Sequence, residues 1–464
     1  MNIQLHKHRR YHQHYRPFDR YWGLGVEHET YIQTSKTARF YEYAHKMNPE
    51  RYSIRYYSAY RQKDLMDAFE QVLRERGVLD VPILLNSHSF TDADIYGEHM
   101  TTYERQPAIN PKFNGETLHQ WACRHSSWLR QEYERSYLWD GDTVECMTQR
   151  FYKATVRGVI DELSEIEQAF VRALQSLPSE GILTTYSPLR LATPTNHPWA
   201  TYVTNPGNIA MFNNGTIHIN CTLPTRLDAY CRPLWYDQFR TQHQRLARLI
   251  QWIEPFWIAV YGSGDPFASL LPQFAAGSQR VAVSRYIGLG TFDTDTMPRG
   301  KINHIPRDVS AIPWYSDLYN KTAYVPIDIV GMDMNYNKHW SHGLELRCFD
   351  QMNMESLTTV LTQLVQVMDA SLKECVPCPN ARKDRCWQSM ATDSLYHGRG
   401  WYVSPEQMDA VYSAFGITAC QTQKEPILVE HALDTLVEDI QVFRGECWEK
   451  MVLGTKRTCS WFGC

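Results

Sequence analysis

The chain has 464 residues, enough to bury a large core, and its aromatic fraction of 13% indicates a packed globular protein rather than a disordered one. Charge is nearly balanced, with 47 basic against 51 acidic residues and a net charge of −4, which argues against a dedicated nucleic-acid-binding protein. The longest apolar stretch, residues 249–261, is too short and too polar to span a bilayer, so we expect no membrane partner either.

The first twenty residues are rich in histidine and arginine. A metal-binding or anion-binding arm is one interpretation, but a flexible, solvated leader over residues 1–20 is favoured because chain termini are commonly loose. No apolar signal-peptide core is present in this segment, so we expect a cytoplasmic protein of the cell or of its host. The twelve cysteines lack a dense regular spacing, which is typical of reduced thiols rather than of a disulfide scaffold.

Apolar periodicity predicts both strands and helices along the chain. Strands are predicted at residues 21–32, 82–85, 95–103, 216–222, 324–334 and 344–349. Helices are predicted at residues 63–76, 156–177, 233–261, 356–373, 405–415 and 427–445. Residues 90–118 and 181–202 are rich in loop and turn residues, and the glycine- and arginine-bearing segment 274–296 is predicted to be an active-site loop. No linker divides the chain, so we expect residues 21–464 to form a single large α+β domain with insertions.

A cysteine-rich segment follows the predicted helix 356–373. Cys375 and Cys378 form a Cys-x-x-Cys pair, and Cys386 and His397 come later at irregular gaps. This pattern leaves a structural zinc knuckle open as one interpretation. The favoured interpretation is a proline-rich loop with incidental thiols, because no second Cys-x-x-Cys pair completes the motif.

Three predicted strands carry polar side chains two residues apart within an apolar pattern. The pairs are Glu27 with Glu29, His218 with Asn220, and Glu345 with Arg347. In a β-strand, residues i and i+2 share a face, so the two members of each pair are expected to project together. The intervening apolar residues are expected to point into a core; they are Val26, Ile217, Ile219, Leu344 and Leu346. Such charges are costly to desolvate unless they meet a metal, a counter-charge or a ligand.

If the strands are neighbours, the carboxylates of Glu27, Glu29, Glu98 and Glu345 converge. Four carboxylates cannot share a small volume without cations, and hard oxygen ligands favour Mg²⁺ or Mn²⁺. These metals commonly hold nucleotide phosphates, and Arg347 adds a planar positive group suited to a transferring phosphoryl group. The chain has no Walker A motif.

Five segments, in the same order, resemble the motifs of the glutamate–cysteine ligases and, more broadly, of the glutamine-synthetase-like carboxylate–amine ligases. They are Gly25-Val-Glu27-His-Glu29, Glu98-His-Met-Thr101, His218-Ile-Asn220, Ser278-Gln-Arg280-Val-Ala-Val-Ser284 and Gly343-Leu-Glu345-Leu-Arg347-Cys-Phe-Asp350. The pair Ser284-Arg285, which overlaps the end of the fourth segment, fits the same place in the family's pattern. The likeness is closer to the divergent amidoligases of bacteria and large DNA viruses. The family's substrate-binding loops are not recognisable in residues 30–95 or 100–210, so glutamate and cysteine are not assumed as substrates.

The resemblance implies an α+β catalytic fold in which an antiparallel sheet curves around a metal–ATP site flanked by helices. It implies an ATP-dependent ligase that joins a small-molecule or peptide carboxylate to an amine through an acyl phosphate. The implied metal ligands are Glu27, Glu29, Glu98 and Glu345. The implied nucleotide-binding residues are His218, Asn220 and Arg347, and the implied catalytic residues are Arg347, Arg280 and Arg285. ATP and Mg²⁺, or Mn²⁺ in its place, are the implied cofactors.

Two other functions stay open at this point. One is a ligase-derived scaffold that has lost catalysis and acts in protein–protein association, since the abundant Trp and Tyr residues are typical of interfaces. The other is phosphoryl transfer to a guanidino or amine acceptor on a related fold. For Arg347 itself, the alternative role is a structural salt bridge with Glu345 or Asp350.

Overall fold

The computed structural model has a mixed α+β architecture. It describes residues 21–42, 54–55, 60–97, 115–151, 155–193, 196–197, 199–210, 215–226, 233–268, 274–283, 286–287, 300–301, 331–332, 334–336, 343–418 and 424–444. The strands are β1 (Tyr21–Thr30), β2 (Ile32–Tyr41), β3 (Ile54–Arg55), β4 (Val78–Leu85), β5 (Tyr137–Asp140), β6 (Thr143–Met147), β7 (Arg190–Leu191), β8 (Ala200–Tyr202), β9 (Asn205–Ala210), β10 (Thr216–Thr225), β11 (Tyr286–Ile287), β12 (Gly300–Lys301), β13 (Gly331–Met332), β14 (Met334–Tyr336), β15 (Leu344–Asp350), β16 (Tyr402–Val403) and β17 (Ile427–Leu428).

The helices flank these strands. They are α1 (Gln62–Arg76), α2 (Ser87–Thr91), α3 (Leu118–His125), α4 (Ser127–Glu132), α5 (Val156–Gln175), α6 (Leu183–Tyr186), α7 (Tyr236–Tyr261), α8 (Gln279–Val283), α9 (Met354–Ser371), α10 (Arg385–His397), α11 (Pro405–Phe415) and α12 (Val429–Arg444). Two short 3₁₀ helices, Ala381–Lys383 and Gly398–Gly400, precede and follow α10. Among the described helices, none is long and apolar enough to cross a membrane.

A seven-stranded sheet carries the segments of interest. Its strand order is β12-β14-β15-β10-β1-β6-β5, and every neighbouring pair is antiparallel. The three strands with paired polar residues, β1, β10 and β15, are therefore adjacent, with β10 in the middle. A second, mixed sheet of six strands, in the order β3-β9-β8-β4-β2-β7, begins where β1 ends, since only Tyr31 separates β1 from β2.

The apolar residues of the three central strands enter the core as the alternation predicts. Val26, Ile217, Ile219, Leu344 and Leu346 are all buried. The 26-residue helix α7 is part of the same core, and α9 and α10 pack against it. The polar residues within the apolar stretch 249–261 are buried, and α7 continues through them without a break.

Most predicted elements are present, with shifted ends. The helices predicted at 63–76, 156–177, 233–261, 356–373, 405–415 and 427–445 correspond to α1, α5, α7, α9, α11 and α12. The first strand was predicted to continue to residue 32, but it ends at Thr30 and β2 begins at Ile32. Ile95 lies in a turn rather than in the predicted strand 95–103, whose remainder from residue 98 lies outside the described residues. The predicted loop 274–296 contains the short helix α8.

The interpretation of the cysteine-rich segment as a zinc site with four ligands is wrong. Cys386 is the second residue of α10 and His397 is its last. Eleven residue steps of α-helix, each with a rise of about 1.5 Å, separate them by about 16 Å along the axis, far more than two ligands of one zinc ion allow. Cys378 is buried and Cys375 is exposed on the preceding loop, in agreement with the favoured interpretation of a loop with free thiols.

A histidine joins helix α2 to the turn between β5 and β6. His88 Nδ1 lies 2.6 Å from Asp92 Oδ2, and its Nε2 lies 3.2 Å from Asp142 Oδ1. The hydrogen bond to Asp142 raises the pKa of His88 to about 9, and Asp92 raises it further against the opposing effect of partial burial. The doubly protonated ring therefore holds both carboxylates at neutral pH.

We expect this interaction to make folding stability depend on pH. Because the folded-state pKa of His88 is raised, its contribution is fully present below the unfolded-state pKa of about 6.5 and is lost as the pH rises through about 9. The site is partly open to solvent, so the contribution should be roughly 1 kcal/mol. Urea unfolding of the wild type and of His88→Gln measures it: the difference in unfolding free energy should shrink by that amount between about pH 6 and about pH 10. A pH-independent difference would exclude this role.

Candidate metal centre

The register of the central strands places the polar residues side by side. Glu27 on β1 pairs with His218 on β10, and Asn220 on β10 pairs with Glu345 on β15. Because paired residues on neighbouring strands share a face, these four side chains lie on one face of the sheet. All four are buried, so the middle of this face is shielded from solvent.

A bulge in β15 shapes one side of this group. Ile217 pairs with Phe349 and Ile219 with Leu346, so two residues of β15 lie opposite the single residue between those isoleucines on β10. An extra residue of this kind interrupts the alternation of faces. As a result, Asp350, three residues after Arg347 in the chain, pairs with Thr216, whose hydroxyl contacts the polar group.

His218 lies at the centre of the group. Its Nδ1 is 3.5 Å from Glu27 Oε2, 3.4 Å from Glu29 Oε1 and 3.9 Å from Glu345 Oε1. Thr216 Oγ1 donates a hydrogen bond of 3.1 Å to Glu29 Oε2 and lies 3.1 Å from His218 Nε2. Since the single hydroxyl proton of Thr216 goes to Glu29, its oxygen can accept from Nε2–H of His218. In this tautomer Nδ1 carries no proton, and its lone pair faces the carboxylates.

Three of these residues could ligate one cation. Glu27, His218 and Glu345 each offer a ligand atom, and the three atoms lie within 4.8 Å of one another. Asn220 donates from Nδ2 to Glu27 Oε1 at 3.3 Å, while its buried Oδ1 has no hydrogen-bond partner among the described residues. A buried acceptor of this kind needs a partner, and two carboxylates, an amide oxygen and an imidazole suit a divalent cation.

Arg347 borders the same group. Its Nη1 lies 3.4 Å from Glu345 Oε1 and 3.5 Å from His218 Nδ1. The flanking residues Leu346 and Cys348 are buried, as the strand pattern predicts, and the Arg347 side chain is 15% exposed. The ion pair with Glu345 is therefore present, and it also fixes the guanidinium beside the candidate cation ligands.

Arg280 reaches the group from helix α8. Its Nε donates to the backbone carbonyl of Arg347 at 3.1 Å, and its backbone N–H donates to Asp350 Oδ1 at 2.9 Å. The segment of Arg280 thus packs directly against β15. The two other predicted site residues, Glu98 and Arg285, lie outside the described residues.

Glu29 belongs to a neighbouring acidic group. Its carboxylate lies within 4.8 Å of the carboxylates of Asp140 on β5 and Glu145 on β6. These three residues form a group separate from Glu27, His218 and Glu345. Burial raises the pKa of Glu29. The positive charges of Arg280 and Arg347 oppose this effect, whereas the negative charge of Asp140 adds to it. His218 contacts both acidic groups, so they are parts of one polar face.

The sequence did not point to Asp140 or Glu145. Glu145 pairs with Glu29 across β1 and β6 and is buried. Its strand, Thr143–Met147, is buried at every position, so the polar-apolar alternation that marks a one-sided strand is weak there. Only the strand order, which the sequence does not reveal, brings β6 beside β1.

Phe151 explains the glycines that precede Glu27. A Cβ atom built on Gly23 would lie 2.2 Å from the Phe151 ring, and one on Gly25 would lie 3.2 Å from it. Gly23, Gly25 and Glu27 share a face, so the buried Phe151 ring packs on the polar face of β1 and closes one end of the site. His28 lies on the opposite face, with Nδ1 2.5 Å from Glu167 of α5.

The fold and site together describe an α+β protein with a candidate metal centre on the middle strands of an antiparallel sheet. No protein-family profile matches the chain. The chain is similar to "Uncharacterized protein R704" of Acanthamoeba polyphaga mimivirus, with 34% identity over 414 residues that cover 88% of this chain and 72% of the viral protein. At this identity and coverage, the chain belongs to the same protein family as that mimivirus protein.

Proposed function

We propose that the chain is an ATP-dependent carboxylate–amine ligase with a catalytic fold like that of the glutamine-synthetase and glutamate–cysteine-ligase superfamily. The observation that carries this proposal is the buried group formed by Glu27, His218, Asn220 and Glu345 on three adjacent antiparallel strands, with the partly exposed Arg347 at its border. Buried charges at such density are costly without a cation or an anionic ligand. ATP and Mg²⁺ are available in the cytosol, so we propose a cytoplasmic location.

The residues present fit a divalent cation. Glu27 and Glu345, with the amide oxygen of Asn220 and Nδ1 of His218, would hold Mg²⁺ or Mn²⁺, and the acidic group around Glu29 would add negative charge nearby. When bound, such a cation neutralises the charge of nucleotide phosphates.

The chain supplies fixed positive charge beside these ligands. Arg347 offers a planar guanidinium that can bind two phosphate oxygens, and its contact with Glu345 limits the rotamers it samples. Arg280 brings a second guanidinium to the same border of the site, fixed by its bond to the Arg347 carbonyl. Two held cationic groups suit the extra negative charge that develops on a transferring phosphoryl group.

The reaction needs no covalent enzyme intermediate. A carboxylate oxygen of one substrate attacks the γ-phosphorus of ATP, the bond to the β–γ bridging oxygen breaks, and ADP leaves. The nitrogen of the amine substrate then attacks the acyl phosphate carbon, loses a proton and expels phosphate, which leaves an amide. The absence of a recognisable Ser or Cys nucleophile motif in the sequence agrees with this route.

A screen of ADP release tests the proposal. Purified protein with MgATP is offered amino acids, short peptides and polyamines, singly and in pairs, and products are identified by mass spectrometry. We expect ADP release that requires both Mg²⁺ and a carboxylate, together with an amide product whose mass equals the two substrates less water. A phosphorylated acceptor would instead indicate a phosphotransferase. Metal-independent association with a protein partner and no nucleotide binding would indicate the scaffold function.

A further inference from the structure

Asp350 is a buried carboxylate at which three segments of the chain meet. It accepts hydrogen bonds from Ser278 Oγ at 2.6 Å, from the Arg280 backbone N–H at 2.9 Å and from the Ser263 backbone N–H at 3.1 Å. Ser263 follows the C-terminus of α7, whereas Ser278 and Arg280 lie at α8. The carboxylate therefore joins β15 to two other segments, and both of its oxygens are used.

The bulge in β15 makes this contact possible. With strict alternation after Arg347, residue 349 would share its face, and Asp350 would lie on the apolar face. The extra residue instead pairs Asp350 with Thr216, which itself bonds Glu29. Asp350 is thus on the polar face, next to the candidate metal centre, but its oxygens are directed at backbone and hydroxyl donors of the arginine-bearing segment.

The consequence for Arg280 is a fixed position. Its backbone is held by Asp350 and its side chain by the bond from Nε to the Arg347 carbonyl, so both ends of the residue are anchored to β15. Its charge acts on Glu29, whose pKa it lowers against the effect of burial. A shift of α8 would move this guanidinium away from the polar face.

We infer that Asp350 is a positioning residue, which holds helix α8 on β15 so that the Arg280 guanidinium stands at the border of the candidate metal centre. This inference rests on the proposed function for its catalytic consequence, but the positioning itself is a property of the ligand-free protein. Asp350→Asn tests it, because an amide keeps the shape but has one acceptor oxygen and turns an N–H₂ group toward a donor.

Hydrogen exchange of the ligand-free protein gives the first measurement. In Asp350→Asn, the backbone amides of residues 278–283 should exchange at least about 10-fold faster, because the acceptor for Arg280 N–H is impaired. Leu364→Ala, a cavity variant in α9, is the control for lost stability and should leave this segment protected once global unfolding is accounted for. Unchanged exchange in Asp350→Asn, or an equal change in both variants, would overturn the inference whether or not the protein is a ligase.

A double-mutant cycle with Arg280 gives the second measurement, once turnover is established. Asp350→Asn should lower kcat of the folded protein by about 10- to 100-fold, since a displacement near 1 Å can have such an effect. In an Arg280→Ala background the same change should lower kcat less than about 2-fold further, because the group it positions is gone. Equal losses in both backgrounds would overturn the link to Arg280. No turnover in the wild type would count against the proposed function and leave the exchange result to decide on Asp350.

Discussion

Glu345→Gln is expected to weaken MgATP binding by about 100-fold or more while the protein stays folded. Glu345 is fully buried, and its carboxylate lies with the carboxylate of Glu27 and the imidazole of His218 in the group that could ligate one cation. Glutamine keeps the size of the side chain but removes the negative charge that a hard cation requires. Without metal, one of several crowded carboxylates is gone, so the melting temperature should be unchanged or higher.

Calorimetric titration with a non-hydrolysable ATP analogue and Mg²⁺ measures this effect. Glu254→Gln is the matched control, since Glu254 is also buried but lies in helix α7, outside the polar face. We expect the control to keep the Kd of the wild type. A Kd for Glu345→Gln within about 3-fold of the wild type, roughly 0.7 kcal/mol, would show that this carboxylate does not hold the nucleotide's metal.

Arg347→Lys is expected to lower kcat by about 100-fold or more and to raise the Kd of MgATP only a few-fold. Lysine keeps the positive charge but loses the planar group that can bind two phosphate oxygens at once. That interaction should strengthen as charge develops on the transferring group, so its loss falls on turnover rather than on ground-state binding. Steady-state kinetics and the same calorimetric titration separate the two quantities.

Arg245→Lys is the control for a purely structural arginine. Arg245 donates to the carbonyls of Ser371, Lys373 and Val376 at the end of α9, away from the polar face. Its replacement should lower the melting temperature and leave kcat of the folded protein unchanged. If Arg347→Lys behaves in the same way, Arg347 is the structural partner of Glu345 and has no catalytic role.

The parts of the fold that could be predicted are those with a strong local signal. The alternation in β1, β10 and β15 correctly placed Val26, Ile219 and Leu346 in the core, and long amphipathic helices such as α5 were found near their true ends. β2 was missed because no glycine or proline marks the break at Tyr31, and because three consecutive exposed polar residues, Ser35, Lys36 and Thr37, interrupt its alternation.

The pairing of strands could not be predicted, because it depends on contacts between residues far apart in the chain. The sequence placed Glu27 and Glu345 on strands but did not order them, and it gave no reason to place Glu145 beside Glu29. The bulge was also hidden, since strict alternation from Glu345 through Arg347 would put residue 349 on the polar face in place of Asp350.

The cysteine pattern shows how spacing alone can mislead. Cys375 and Cys378 are close in sequence, but Cys386 and His397 lie at opposite ends of α10. All ligands of one zinc ion lie about 2 Å from it, whereas α10 separates these two residues by nearly its whole length. The helix was not among the predicted elements, so the sequence offered no means to exclude the zinc site.

Binding of Mn²⁺ followed by electron paramagnetic resonance tests the central claim most directly. Titrating Mn²⁺ into the ligand-free protein, with and without a non-hydrolysable ATP analogue, counts the ions that the chain holds. We expect the wild type to bind Mn²⁺ and the double variant Glu27→Gln/Glu345→Gln, with an unchanged circular dichroism spectrum, to lose at least one ion per chain. A double variant that binds as many ions as the wild type, or a wild type that binds none in either condition, would contradict a metal centre on this sheet.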